Sequence, residues 1–255
     1  ITRYIKIFCC FLLVDIATMM YNRSAIIGVR KVVILVVKER VSAEERAYRY
    51  IKAQIINKKL LPNQQIVEMD VAEESGLSRT SIRSAIRRLH YEGLAIIRPN
   101  RGAVVVSLSM SEIKDIFACK RLLETEAIKL ATSRISITSL KRMKEILTLE
   151  PETFHNKDFN AFLELNTEFH MLIAQASGNS CYIKYIKELL TKSNVLLIFY
   201  DDFMTTSLEE SDAHREHMQI YEALRSHNLE RCVKAMFAHS DTTYETVSIH
   251  KQLSE

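Results

Sequence analysis

Two groups of residues in this sequence are equipped for chemistry. The first is Ser78-Arg79-Thr80-Ser81-Ile82-Arg83-Ser84-Ala85-Ile86-Arg87-Arg88-Leu89. Wound as an α-helix, it puts Ile82, Ala85, Ile86 and Leu89 on one face. Arg79, Arg83 and Arg87 fall four apart on the other, with Thr80 and Ser84 beside them. Guanidinium forks pair with phosphate oxygens and with guanine edges in the major groove. The row is read as a DNA-contacting face, and the competing reading is a solvated charged helix. The second group is histidine-rich. Asn166 and His170 lie four apart and share a helix face, and His217 and His239 belong to two later helices. An amide oxygen and imidazoles from three helices could hold a divalent metal. On spacing alone that remains one reading among several. The chain has eight histidines, a buried histidine satisfied in the core is commoner than a ligand, and His214 stands one turn before His217.

The surrounding elements decide the first question. The chain of 255 residues has room for two cores, and its composition is globular: 47% hydrophobic and 26% charged. Net charge is only +4, yet six arginines and one acid, Glu92, lie between Arg79 and Arg101. A local basic patch on a near-neutral chain suggests one polyanion-binding face. Ser42 with Glu45 forms a capping box for a helix running to Leu61, with Tyr48, Ile51, Ile55 and Ile56 as its apolar stripe. Asn63 suits a left-handed turn, and Gln65 to Val67 reads as a short strand. A short helix over Asp70 to Glu74 is followed by Gly76, the tight turn between two helices, and then by the arginine helix, closed by Gly93. Leu94 to Arg98 and Ala103 to Val106 are β-rich runs joined through a tip carrying Arg101 and Gly102. Three short helices plus a hairpin make a winged helix-turn-helix, whose second paired helix lies in the major groove. The DNA contacts expected are Ser78, Arg79, Thr80, Ser81, Arg83 and Arg87, with Arg101 and Gly102 at the wing tip, where glycine permits close backbone approach.

Past Gly102 only Pro151 and Gly178 interrupt the chain, so this tract should be almost all helix. Ser109 and Glu112 cap a helix to about Arg134, and further helices are expected over 138–149, 157–177, 180–203, 207–226 and 229–249. Ser207 with Glu210 should cap the fifth and Asn228 the last. An antiparallel bundle of this kind can build a ligand site from facing side chains. The fold class expected is therefore mainly α. A winged helix-turn-helix over 41–107 is joined to an all-helical antiparallel bundle over 108–255.

Residues 1–40 stand apart. Ile7 to Val14 and Ile26 to Val37 are apolar runs, the second broken by Arg30 and Lys31, and both fall short of the roughly 20 residues a membrane span requires. They are read as upstream sequence translated past a start at Met19 or Met20, or as an extension; a membrane tether is the alternative. Five cysteines without paired spacing read as free thiols in a reducing cytosol, so the chain is expected in the cytoplasm and not at a membrane.

Residues 44–107 resemble the winged-helix domain of the GntR family of transcriptional regulators. The likeness is carried by Ser78-Arg79-Thr80, Ile82-Arg83, Ala85, Arg88-Leu89, Glu92-Gly93-Leu94 and Arg98-Pro99-Asn100-Arg101-Gly102. Three positions depart from the family pattern: Ser81 replaces a frequent proline, Met69 an arginine that reaches DNA, and Asn63 a turn glycine. Residues 110–249 resemble the FCD ligand-binding domain of the FadR-like branch, through Asp115 to Ala127, Phe169-His170, Ala176 to Asn179, Glu216-His217 and Met236 to His239. That resemblance implies a metal on Asn166, His170, His217 and His239, with zinc expected and nickel or manganese as alternatives. Asn166 stands where the family has an acid, which removes a charge and should lower affinity. It also implies an effector contact at Lys120, where the family often has arginine; lysine keeps the charge and loses the bidentate fork. The partners implied are double-stranded operator DNA, a small carboxylate metabolite and a second copy of the chain. A metal and histidines also describe hydrolases, but no HExxH motif is present and a DNA-binding domain has no place in such an enzyme. The reading is a ligand-responsive regulator, a repressor released by an organic acid.

Overall fold

The computed structural model describes residues 41–99 and 101–253. Helix α1 (Ala43–Ile56) begins where Ser42 Oγ accepts the Glu45 N–H at 3.0 Å. Only this half of the expected capping box forms, because the Glu45 carboxylate is taken by Arg49 and Arg88, each at 2.6 Å. The helix buries Ala47, Tyr48, Ile51 and Ile55 and ends at Ile56 rather than Leu61. There Lys58 turns left-handed, and the N–H groups of Lys59 and Leu60 both return to the Gln54 carbonyl. Asn63 takes the left-handed conformation its type suits. Strand β1 (Gln65–Ile66), α2 (Glu68–Ser75) and α3 (Arg79–Tyr91) follow. Gly76, at φ 67°, makes the turn between the two helices. Ser78 Oγ caps α3 by accepting the Ser81 N–H at 3.2 Å. Strands β2 (Ala95–Arg98) and β3 (Gly102–Val105) pair antiparallel, with Arg98 opposite Gly102. β1 adds to the other edge of β3, so the expected hairpin is completed to a three-stranded sheet in the order β1-β3-β2.

Six further helices complete the described residues: α4 (Met110–Arg134), α5 (Ile137–Asn156), α6 (Phe159–Ala176), α7 (Ser180–Tyr200), α8 (Asp212–Arg225) and α9 (Leu229–Leu253). The Ser109–Glu112 capping box forms in both directions. Asn228 Oδ1 accepts the Arg231 N–H at 3.0 Å at the start of α9. Two helices depart most from expectation, while α7 ends at Tyr200 rather than 203 and α9 runs to Leu253 rather than 249. α5 does not stop at 149 but runs through Pro151. An interior proline costs about 3 kcal/mol, and anchors on both sides outweigh that here. Glu150 and Phe154 are buried, and the Thr153 hydroxyl donates to the Glu150 carbonyl at 2.7 Å. α8 starts at Asp212, not 207. Ser207 and Glu210 do exchange hydrogen bonds (3.1 and 3.4 Å), but residues 201–211 stay in turns. Burial of Phe203 among Phe154, Phe159 and Phe162 pins that segment to the bundle.

A single apolar cluster runs from Ile51, Ile55, Leu89 and Val105 of the winged region into Phe117, Leu196 and Phe199 of the bundle. A second fills the bundle around Ile128, Met143, Phe169, Ile220 and Met236. Among the described residues no helix is long and apolar enough to cross a membrane. The apolar runs before residue 40 lie outside them.

Candidate functional site

The outer face of α3 carries Arg79, Thr80, Arg83 and Arg87, all exposed, while Ile82, Ala85, Ile86 and Leu89 are buried beneath it. Ser78 and Ser81 are engaged with each other (Oγ to Oγ 2.8 Å) and so shape the start of the helix. Arg101 and Gly102 are exposed at the wing. Gly102 sits at φ 74°, and a Cβ there would meet Gln65 Nε2 at 3.4 Å. The sequence reading overlooked Glu68 at the start of α2. Its carboxylate takes both bonds from Arg83 Nε, at 2.8 and 3.0 Å, and lies 3.7 Å from Arg79 Nη2. With both arginines more than half exposed, this pairing contributes under about 1 kcal/mol. It therefore orients the arginine row without locking it away from an incoming phosphate.

In the bundle, α6, α8 and α9 bring His170, His217 and His239 together, all buried, with candidate ligand nitrogens within 4.8 Å of one another. Each ring has a carboxylate behind it. His217 Nδ1 lies 2.7 Å from Glu150 Oε1, and His239 Nδ1 lies 2.9 Å from Glu216 Oε2. His170 Nδ1 lies 2.9 Å from Glu124 Oε1, at ion-pair distance though off hydrogen-bond alignment. A carboxylate behind Nδ1 fixes the proton there and leaves the Nε2 lone pair facing forward. His170 Nε2 and His239 Nε2 then face each other at 3.2 Å, and His217 Nε2 is buried without a hydrogen-bond partner. Converging lone pairs in a buried space are what a cation resolves, so the donor set fits a divalent metal. Burial, reinforced by His217, His170 and Lys120, holds the His239 ring well below the usual histidine range. Burial also lowers His170, against the pull of Glu124. Both rings are therefore neutral near pH 7, the form that ligates. His214, the rival to His217, instead contacts the second oxygen of Glu150 at 2.7 Å from a half-exposed position.

His170 and His239 border a cavity of about 610 Å³. Asn166 lines it one turn before His170, 7% exposed, and its amide makes no hydrogen bond among the described residues. Lys120 also lines it, but its Nζ is bonded to Glu124 at 2.8 Å and both side chains are buried. Burial pushes the Glu124 carboxyl up, but His170 and Lys120 outweigh that and hold it well below the carboxylate range. The lysine expected to meet an effector thus already has a partner.

Two family models match the chain: "Bacterial regulatory proteins, gntR family" over residues 43–105 and "FCD domain" over residues 115–242. The chain belongs to the GntR family. The HTH-type transcriptional repressor RspR of Escherichia coli (strain K12) is 26% identical over 203 residues, covering 80% of this chain and 88% of the relative. The HTH-type transcriptional regulator YdhC of Bacillus subtilis (strain 168) is 27% identical over 194 residues, covering 75% and 85%. Among solved structures, E. coli McbR/YncC superposes with a TM-score of 0.62 at 20% identity, over 84% of this chain and all of that one. This GntR-family member is accordingly a transcription regulator with a DNA-binding and an FCD domain, not an enzyme. The binding of operator DNA and the tendency to dimerise are traits of such regulators.

Of the residues sequence reasoning placed in the GntR-type bundle, His170, His217 and His239 come together, and Asn166 lines the cavity beside His170 and His239. The three carboxylates behind the rings went unassigned. Glu124 lies in a stretch that carries the resemblance, and Glu216, which adjoins His217 in sequence, is not read there as the partner of a ring. Glu150 gave no signal, since its partner is 67 residues away in another helix.

Proposed function

We propose that this regulator is a cytoplasmic homodimer that represses transcription and is released by a small organic acid bound at a metal in the FCD bundle. Arg79, Arg83 and Arg87, with Thr80, would contact operator bases and phosphates. Ser78 and Ser81 would set the start of the helix, and Arg101 and Gly102 would bring the wing to the DNA backbone. His170, His217 and His239 would hold the ion, zinc in the first instance, with Asn166 as a neutral fourth donor. A bound ion would supply a Lewis-acidic point for an effector carboxylate. The observation that carries this reading is the set of three buried Nε2 atoms, each ring backed by a carboxylate. The carboxylates raise ligand basicity and fix ring orientation. Dimerisation would match a two-fold operator.

An effector changes DNA affinity only by its differential affinity for two conformations. The 201–211 segment supports such a link. It lines the cavity, and the carbonyl of Asp201 accepts from Lys58 of the winged region at 3.4 Å.

Two measurements test the reading. Gel shifts with the promoter beside the protein's own gene should show binding that weakens steeply with salt, and Arg83→Ala should cost about 1–3 kcal/mol of it. Unchanged binding in Arg83→Ala would remove α3 from the interface. Purified wild type should carry about one equivalent of zinc per chain, and His217→Ala should lose it. Metal-free wild type that cannot be loaded would reduce the histidines to packing.

A further inference from the structure

The arginine row of α3 borders a groove of about 550 Å³, whose other walls are the start of α2 and the three-stranded sheet. Arg79, Arg83 and Arg87 all line it and are all exposed. The acid of the lining, Glu68, is taken by Arg83 at 2.8 and 3.0 Å. Among these charges lie exposed apolar side chains: Met69 is 56% exposed, Ile97 41% and Val67 37%. Ile97 stands across Ala103 from Ile66 in the sheet, which carries an apolar row from the core out to the edge strand. Val67 occupies the N-cap position of α2 and makes no side-chain hydrogen bond there. Valine ranks among the poorest residues for that position, where a side-chain oxygen would satisfy the first turn. Breaches of such local rules are expected at functional sites.

A polyanion drawn to the arginines therefore meets an apolar patch among them. Of the groups that base edges present in the major groove, the thymine 5-methyl is the one an apolar side chain satisfies. An apolar peptide lacks the charge that the arginines call for. Resting on the reading of α3 as the DNA-contacting helix, we propose that Met69, flanked by Val67 and Ile97, is a specificity-determining residue that reads the 5-methyl of thymine. The arginines supply affinity through phosphates and guanines, and Met69 selects a T·A pair at its own position. Its unbranched thioether chain adapts its shape to the methyl. Cytosine in the same place offers no methyl and brings an amino donor that finds no acceptor on the patch, since Glu68 is already engaged.

The test uses the full chain and duplexes with a randomised core of about 20 base pairs, two helical turns. Sequences retained by the wild type are resynthesised with single deoxyuridines in place of thymidines, which removes the methyl and nothing else. Affinities are read by fluorescence anisotropy at one fixed salt concentration. At one thymine of each half-site the replacement should weaken wild-type binding about fourfold, the worth of one buried methyl. Met69→Ala and Met69→Gln should bind the thymine and uracil duplexes equally at that position, and Met69→Leu should keep the difference. Comparing variants on the same pair of duplexes separates the contact from any effect of the methyl on the DNA itself. Unchanged melting temperatures establish that the variants are folded. Retained sequences in which no thymine responds to loss of its methyl, or a response untouched in both Met69→Ala and Met69→Gln, would overturn the proposal. Failure of the α3 reading shows separately, as Arg83→Ala that binds the retained duplexes like wild type; a wild type that enriches no sequence would overturn both.

Discussion

Glu150→Gln is the sharpest probe of the histidine cluster, because it changes one charge and almost no shape. Glu150 is fully buried, and its two oxygens lie 2.7 Å from the Nδ1 atoms of His217 and His214. Glutamine keeps one acceptor oxygen in place but removes the negative charge that makes the His217 ring a stronger donor. Losing an outer partner of this kind weakens metal binding about 10- to 100-fold. With zinc one hundredfold above its Kd, binding stabilises the wild type by about 2.7 kcal/mol. A thirtyfold weaker site at the same zinc concentration retains about 0.9 kcal/mol. The difference of about 2 kcal/mol corresponds to a zinc-induced rise in Tm smaller by about 4–8 °C. Differential scanning fluorimetry with and without zinc measures it directly, and competition against a chromophoric chelator gives the affinities. An undiminished zinc response in Glu150→Gln, alongside a lost one in His217→Ala, would refute the view that the carboxylate tunes the ring.

Two further outcomes are expected. Phe203→Ala empties a buried position stacked on Phe159 and tilted against Phe154 and Phe162, so thermal unfolding should report a loss of about 3–5 kcal/mol. Asp201 makes stability depend on pH. Burial raises its carboxyl from 3.8 to about 6, so the folded chain keeps a proton that the unfolded chain releases, and stability falls as pH rises through that window. Asp201→Asn should therefore raise stability near pH 7.5 by up to about 3 kcal/mol, read as a higher Tm, with the gain vanishing as pH falls below about 4; equal gains at both ends would count against a raised Asp201 carboxyl.

What could be read from residue order was whatever is local. The Ser109–Glu112 box, the glycine turn at Gly76 and the asparagine cap at Asn228 depend on neighbours a few residues away, and all three formed. The spacing of Asn166 and His170 fixed their shared face for the same reason. What escaped depends on contacts across helices. The carboxylates of Glu150 and Glu216 reach histidines 67 and 23 residues distant, which no periodicity records. The Ser207–Glu210 signature is genuine as a hydrogen-bond motif, yet a buried phenylalanine four residues earlier keeps a helix from starting there. At Pro151 the reverse happened, with burial on both sides of the ring overruling a local breaker.

The apolar cluster shared by the winged region and the bundle has a consequence for how the protein can be divided. Ile51, Ile55 and Val105 pack in the same mass as Phe117, Leu196 and Phe199. Severing the chain near Ser107 would leave two greasy scars facing water rather than two finished modules. The GntR-type domain and the FCD domain are thus expected to melt as one cooperative unit, and neither can be borrowed for a chimera without repainting the seam.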